Sequence, residues 1–275
     1  PPMQEYQIDT ELVNESSGLA RSHREAELLW THNDSGGKTQ AYAFDTQGHY
    51  QGTLSVQPAL NLDWEDMTSF VEDGQPKLLL ADIGDNGAFR PFLTIYIVDE
   101  PQLEGLPRPF DLKALPLRQM QVTYPDGPRD AESIAVDADE GSIYIISKRD
   151  LHPKLYRLPL KPAVPVAIAQ DLGEINIPRA PEGTDGPERI NWVTSMDIDD
   201  SATRLTALTL TKAYIYSREP GESWQAALAR EPQAVTLPPY PQIEAVAFSA
   251  DDEALYITSE GQPAPFAKLE LTAPR

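Results

Sequence analysis

The chain has 275 residues, a formal net charge of −21 at pH 7, four histidines and no cysteine. So negative a field opposes nucleic acid and anionic membrane surfaces as partners, and the missing thiols exclude disulfides, zinc–thiolate centres and cysteine catalysis. No apolar run approaches the roughly 18 residues of a membrane-spanning helix, His23, His32, His49 and His152 make no His-Glu-x-x-His pattern, and 26 prolines with 16 glycines cut the chain into short segments of the strand kind.

The first predicted strand covers Glu5 to Leu12, where apolar and polar residues alternate. Ser17-Gly18-Leu19-Ala20 then opens a unit continued by strands at Glu27 to Thr31 and Ala41 to Phe44. A second unit opens at Glu65-Asp66-Met67-Thr68 and continues at Lys77 to Ala81 and Thr94 to Ile97. The third has Glu132-Ser133-Ile134-Ala135, Ser142 to Ile146 and Lys154 to Arg157. The fourth has Ser195-Met196-Asp197-Ile198, Arg204 to Leu208 and Ala213 to Tyr216. The fifth has Glu244-Ala245-Val246-Ala247, Ala254 to Thr258 and Ala267 to Glu270. The opening residues lie 48, 67, 63 and 49 positions apart, and 48 more lead from Glu244 through the termini back to Ser17.

A multi-strand unit repeated at about 50 residues predicts blades around a hub. The expected fold is all-β, a five-bladed β-propeller over residues 1–275 as one domain. The N-terminal strand completes the last blade and covers an edge that would otherwise invite aggregation. A β-sandwich with chance repetition is the alternative, but it gives no reason for an acid or a hydroxyl to recur in phase. Strand direction sends five loops to one face: Asn33 to Gly37, Asp82 to Asn86, Lys148 to Asp150, Thr211-Lys212 and Glu260-Gly261. The long connections around Tyr124 to Asp130 and from Asn176 to Trp192 join them, and such loop-rich faces are where binding sites are built.

If each unit begins the innermost strand of its blade, Ser17, Glu65, Glu132, Ser195 and Glu244 converge on the axis. Three glutamates about 6 Å apart repel by roughly 8 kcal/mol in total at an effective dielectric of about 20. Such a cluster either takes up protons or binds a cation. Oxygen-only donors with flexible geometry suit Ca2+ better than zinc. The alternative for any one glutamate is a solvated strand end.

These residues resemble the calcium-activated nucleotidases, or apyrases, five-bladed propellers whose central calcium is held by a Ser, Glu, Glu, Ser, Glu series. Ser17-Gly18-Leu19, Trp64-Glu65-Asp66, Glu132-Ser133, Thr194-Ser195 and Ile243-Glu244 match that series in order and interval. The resemblance implies Ca2+ at the hub, with Ser17, Glu65, Glu132, Ser195 and Glu244 as ligands, and basic residues after the second strand of the third blade, where Lys148-Arg149 stand. The second-blade loop departs from the family, carrying Asp82-Ile83-Gly84-Asp85-Asn86 in place of a basic Gly-rich loop.

Three functional readings follow. In the first, a calcium-dependent hydrolase of phosphate esters or anhydrides uses Lys148 and Arg149 to offset charge and Asp85 or Asp130 to accept a proton. In the second, the calcium is a structural plug and the loop face binds a ligand or a protein partner. The third is a carbohydrate-active enzyme working through two carboxylates. The expected ligand is small and phosphorylated or carbohydrate, with no nucleic acid and no membrane insertion. The expected location is secreted or periplasmic, since the chain opens on Pro1-Pro2 without an initiator methionine.

Overall fold

The computed structural model of the chain describes residues 2–34, 36–150, 152–178 and 192–272. Its strands form five sheets arranged as the blades of a propeller. Blade 1 runs outward through β2 (Ser16–Arg21), β3 (Leu28–Asn33), β4 (Gln40–Asp45) and β5 (Tyr50–Val56). Blade 2 has β6 (Trp64–Glu72), β7 (Gln75–Asp82), β8 (Leu93–Asp99) and β10 (Arg118–Thr123). Blade 3 has β11 (Ala131–Asp137), β12 (Ser142–Ser147), β13 (Lys154–Pro159) and β15 (Gln170–Glu174). Blade 4 has β16 (Ser195–Ile198), β17 (Arg204–Leu208), β18 (Lys212–Ser217) and β19 (Gln233–Thr236), with the five-residue helix α1 (Trp224–Leu228) before its last strand. Blade 5 has β20 (Ile243–Phe248), β21 (Ala254–Ser259), β22 (Ala264–Glu270) and, returning from the N-terminus, β1 (Met3–Ile8).

The innermost strands pack against one another in the cyclic order β2, β6, β11, β16, β20 and back to β2. Both faces of each are covered by neighbouring blades, so β11 and β20 are buried along their whole length instead of alternating. The apolar core is accordingly divided into five clusters, one per blade junction. Trp30, Trp64 and Leu78 fill the first, Leu79, Ile95 and Ile145 the second, Ile146, Tyr216 and Trp224 the third. Leu208, Ile215 and Phe248 fill the fourth, and Ile8, Phe44 and Phe266 the fifth. At the hub itself there is room only for backbone beside Gly18, where a Cβ would come within 2.7 Å of the Met67 nitrogen.

The closing strand pairs antiparallel with β22 from Met3↔Leu269 to Ile8↔Ala264. It ends four residues before the predicted Leu12. Beyond Ile8 the Asp9 nitrogen donates to the Gly48 carbonyl at 2.9 Å and the Asp9 carboxylate accepts from the Tyr50 nitrogen at 2.7 Å, so the chain leaves blade 5 for blade 1. Two further strands were not foreseen. Between β8 and β10 the chain reaches back to lay β9 (Phe110–Ala114) parallel to β5, and between β13 and β15 it lays β14 (Val166–Ile168) parallel to β10. Blades 1 and 2 are thereby stitched to the blades that follow them.

Candidate metal centre at the propeller hub

Each innermost strand carries a local irregularity at the same place. The pairing skips one residue between Ser16 and Gly18, between Trp64 and Asp66, between Ala131 and Ser133, and between Ile243 and Ala245. The skipped residues are Ser17, Glu65, Glu132 and Glu244. A β-bulge turns its extra side chain out of the pleat, and the three glutamates among these reach the hub cavity while Ser17 does not. In blade 4 the Thr194 nitrogen donates to the Leu208 carbonyl at 2.9 Å while Ser195 is paired with Leu208, so two residues face one. Thr194, not Ser195, therefore holds the position that glutamate holds elsewhere.

One cavity on the loop face gathers Glu65, Glu132, Thr194 and Glu244 with Asp34, Asp63, Gln242, Lys148, Arg149 and Trp192. The three glutamates, each about 5% exposed, thus meet at one mouth. The two serines point elsewhere. The Ser17 hydroxyl donates to the Glu65 carbonyl at 3.2 Å, and that of Ser195 donates to the Asp66 carboxylate at 3.1 Å. Loop acids that the repeat does not reveal complete the cluster. Carboxylate oxygens of Asp34, Asp63 and Glu65 lie within 4.8 Å of one another, as do those of Asp34, Glu244 and Glu260, so Asp34 is common to both groups. Gly84 admits this crowding, since a Cβ there would collide with the Asp63 carboxylate and come within 2.7 Å of Glu65 Oε1.

Glu132 stands apart from those groups because Lys148 forms a close ion pair with it. The Arg149 Nε donates to Asp130 at 2.6 Å and its guanidinium lies 4.5 Å from the Trp192 ring centre, making one cationic wall. Asp130 and Asp85 are buried in the frame behind that wall. Asp130 accepts from the Asp85 nitrogen at 2.8 Å, and the Asp85 carboxylate accepts from the Phe89 and Arg90 nitrogens at 3.0 and 2.9 Å. Asp82 accepts from the Leu62 and Asp63 nitrogens at 3.1 and 3.0 Å and from Arg90 at 2.9 Å. These acids therefore shape the second-blade loop rather than face the cavity. Arg129 is held by Asp126 and Asp150 and Lys212 donates to Thr236, so neither adds charge to the mouth. Trp64 and Tyr124 are core residues. Most of the connection from Asn176 to Trp192, residues 179–191, lies outside the described residues, as does Ser35 of the first loop.

Burial decides the charge of the mouth acids. It pushes the Glu244 carboxyl up to about 8, with nearby Glu260 adding to the rise against the hydrogen bond from Gln242. It pushes Asp63 up to about 6, helped by Asp34. Glu65 is raised well above the usual carboxylate range by burial and then by Asp63. Without a cation some of these groups hold protons, and a divalent ion would replace those protons. The donor set is all oxygen, from strands and loops of several blades, which fits Ca2+ with its 6–8 flexible oxygen ligands.

No family model matches the chain, and no curated protein matches it in sequence. Among solved structures it is similar to a gluconolactonase from Xanthomonas campestris at 13% identity, with 98% of this chain and 89% of that chain covered and a TM-score of 0.50. It is also similar to a luciferin-regenerating enzyme at 12% identity, covering 99% and 98% of the two chains with a TM-score of 0.49. A 6-phosphogluconolactonase-like structure from Bacteroides uniformis follows at 15% identity, covering 96% and 70%, with a TM-score of 0.46. At these identities the likeness is one of fold: the chain is a β-propeller of the shape that the Xanthomonas gluconolactonase shares.

Proposed function

We propose that the protein is a divalent-cation-dependent hydrolase whose ion, Ca2+ in the first instance, is held at the hub mouth by Asp34, Asp63, Glu65, Glu244 and Glu260. The carrying observation is the pair of carboxylate groups sharing Asp34. When bound, the ion supplies Lewis-acid polarisation of a carbonyl or phosphoryl oxygen. Lys148, Arg149 and Trp192 form the opposite wall, which orients a ligand by charge and by a flat apolar face. Charge within the cavity narrows the substrate. Its described lining has five carboxylates against two cations, and Glu260 beside it makes six, an excess of four negative charges of which one divalent ion leaves two. A neutral ester or lactone enters such a site more readily than a nucleoside polyphosphate. The neighbouring gluconolactonase points to the same class. The proposal includes a secreted or periplasmic location, where calcium is abundant enough to load a site of modest affinity.

The test is hydrolysis of a panel of aliphatic lactones, aryl esters and nucleoside diphosphates, with and without calcium. Calcium-stimulated turnover of lactones or esters that is lost in Glu65→Gln supports the proposal; diphosphate turnover alone would return the substrate to the phosphate class. A second reading is favoured by one observation: Asp85 and Asp130, the foreseen proton acceptors, are both consumed by backbone donors and Arg149. In that reading the ion is a structural plug and the loop face binds a small ligand or a protein. Calcium-dependent thermal stabilisation without turnover of any substrate would select it.

A further inference from the structure

We infer that Asp66 and Ser195 are positioning residues that hold the mouth carboxylates at cation-binding spacing. This rests on the cation reading above and deepens it by naming what sets the site's affinity. Asp66 directly follows Glu65 and is fully buried. Its Oδ1 accepts from the Met67 nitrogen at 3.0 Å and from the Ser195 hydroxyl at 3.1 Å, and its Oδ2 accepts from the Ile134 nitrogen at 3.1 Å. Ile134 lies two residues after Glu132, so this carboxylate ties the strand of one mouth glutamate to the strand of another. The Ser195 oxygen in turn accepts from the Val246 nitrogen at 3.2 Å, two residues after Glu244. The Thr194 hydroxyl donates to the Ile243 carbonyl at 3.3 Å and that of Ser17 to the Glu65 carbonyl at 3.2 Å. The Ser16 and Thr258 hydroxyls, 2.7 Å apart, link blade 1 to blade 5. A belt of hydrogen bonds one layer beneath the cavity thus joins all five blades.

The apolar clusters between blades are held by a non-directional force. The belt is directional. Calcium ligands must stand 2.3–2.6 Å from the ion, and outer partners that fix ligands typically change metal affinity by about 10–100-fold when lost. An internal control lies deeper on the same axis. Asp197 accepts from the Thr68 hydroxyl at 3.3 Å and from the Phe248 nitrogen at 2.8 Å, tying strands together in the same way but without reaching the belt.

The experiment is isothermal titration of calcium into the full chain at pH 8, with thermal melts in chelator alongside. Asp66→Asn keeps the volume, yet whichever way its amide turns an N–H2 meets a backbone N–H; Ser195→Ala removes one oxygen. Both are expected to weaken calcium binding about tenfold or more, while Asp197→Asn, although destabilised in chelator, stays within about twofold of the parent. Unchanged affinity in both Asp66→Asn and Ser195→Ala, or an equal loss in Asp197→Asn, overturns the inference while leaving the cation reading intact. A parent chain that binds no calcium overturns the cation reading, and this inference with it.

Discussion

Glu244 keeps its proton to about pH 8 and Asp63 to about pH 6 because burial and neighbouring acids disfavour their charged forms. In the unfolded chain both ionise near the ordinary carboxylate values, so the folded, metal-free protein binds more protons than the unfolded one across that interval. The stability this contributes is complete below about pH 4 and is lost as pH rises through the folded values. For Glu244 the slope is roughly 1.4 kcal/mol per pH unit; Asp63 contributes less, being more open to solvent. The expected result is a chelator-treated Tm that falls between about pH 5 and pH 8, with Glu244→Gln making the fall shallower by one group's share, since burial also raises Glu65, Asp66 and Asp197. Added calcium reverses the trend, because affinity grows as protons leave the ligands. A Tm indifferent to pH in chelator would contradict this account.

At the scale of strands, the phase of the repeat made much of the site legible. Glu65, Glu132 and Glu244 could be placed together because each begins an innermost strand. Ser195 was assigned one residue too far along, since a bulge leaves no composition signal of its own. The apolar residue before each acid was the available cue: Trp64, Ala131 and Ile243 are fully buried, and Val193 before Thr194 matches them. Strand direction puts the loops of Asp34 and Glu260 on the right face, but neither these acids nor Asp63 stands out as a site residue, because they belong to loops that differ from blade to blade. The parallel strands β9 and β14 were invisible because their partners lie far away in sequence and their pairing has no short-range pattern. The closing strand β1 was readable from alternation and from the missing fourth strand of blade 5. Its Ile8 is fully buried against Phe44 and Phe266. Ile8→Ala is therefore expected to cost about 2–5 kcal/mol in denaturant unfolding, and removal of residues 1–8 to expose the β22 edge and produce oligomers in size-exclusion chromatography.

Across the whole molecule, five blades that each bury apolar faces on two neighbours leave an axis where only polar ends of strands remain. The net charge of −21 concentrates cations around the protein, and the mouth holds two groups of three carboxylates, joined by Asp34, each close enough to share an ion. Lys148 pairs directly with Glu132 and eases Glu65 and Glu260 only from a distance, so most of the uncompensated charge falls on the Asp34, Asp63, Glu65, Glu244 and Glu260 groups. The most direct test is calcium titration of the chelator-treated chain at pH 8, compared with the Glu65→Gln/Glu244→Gln double variant. The account predicts saturable binding in the parent and its loss in a double variant that still folds. Binding that survives both substitutions, or a parent that takes up no divalent ion, would contradict it.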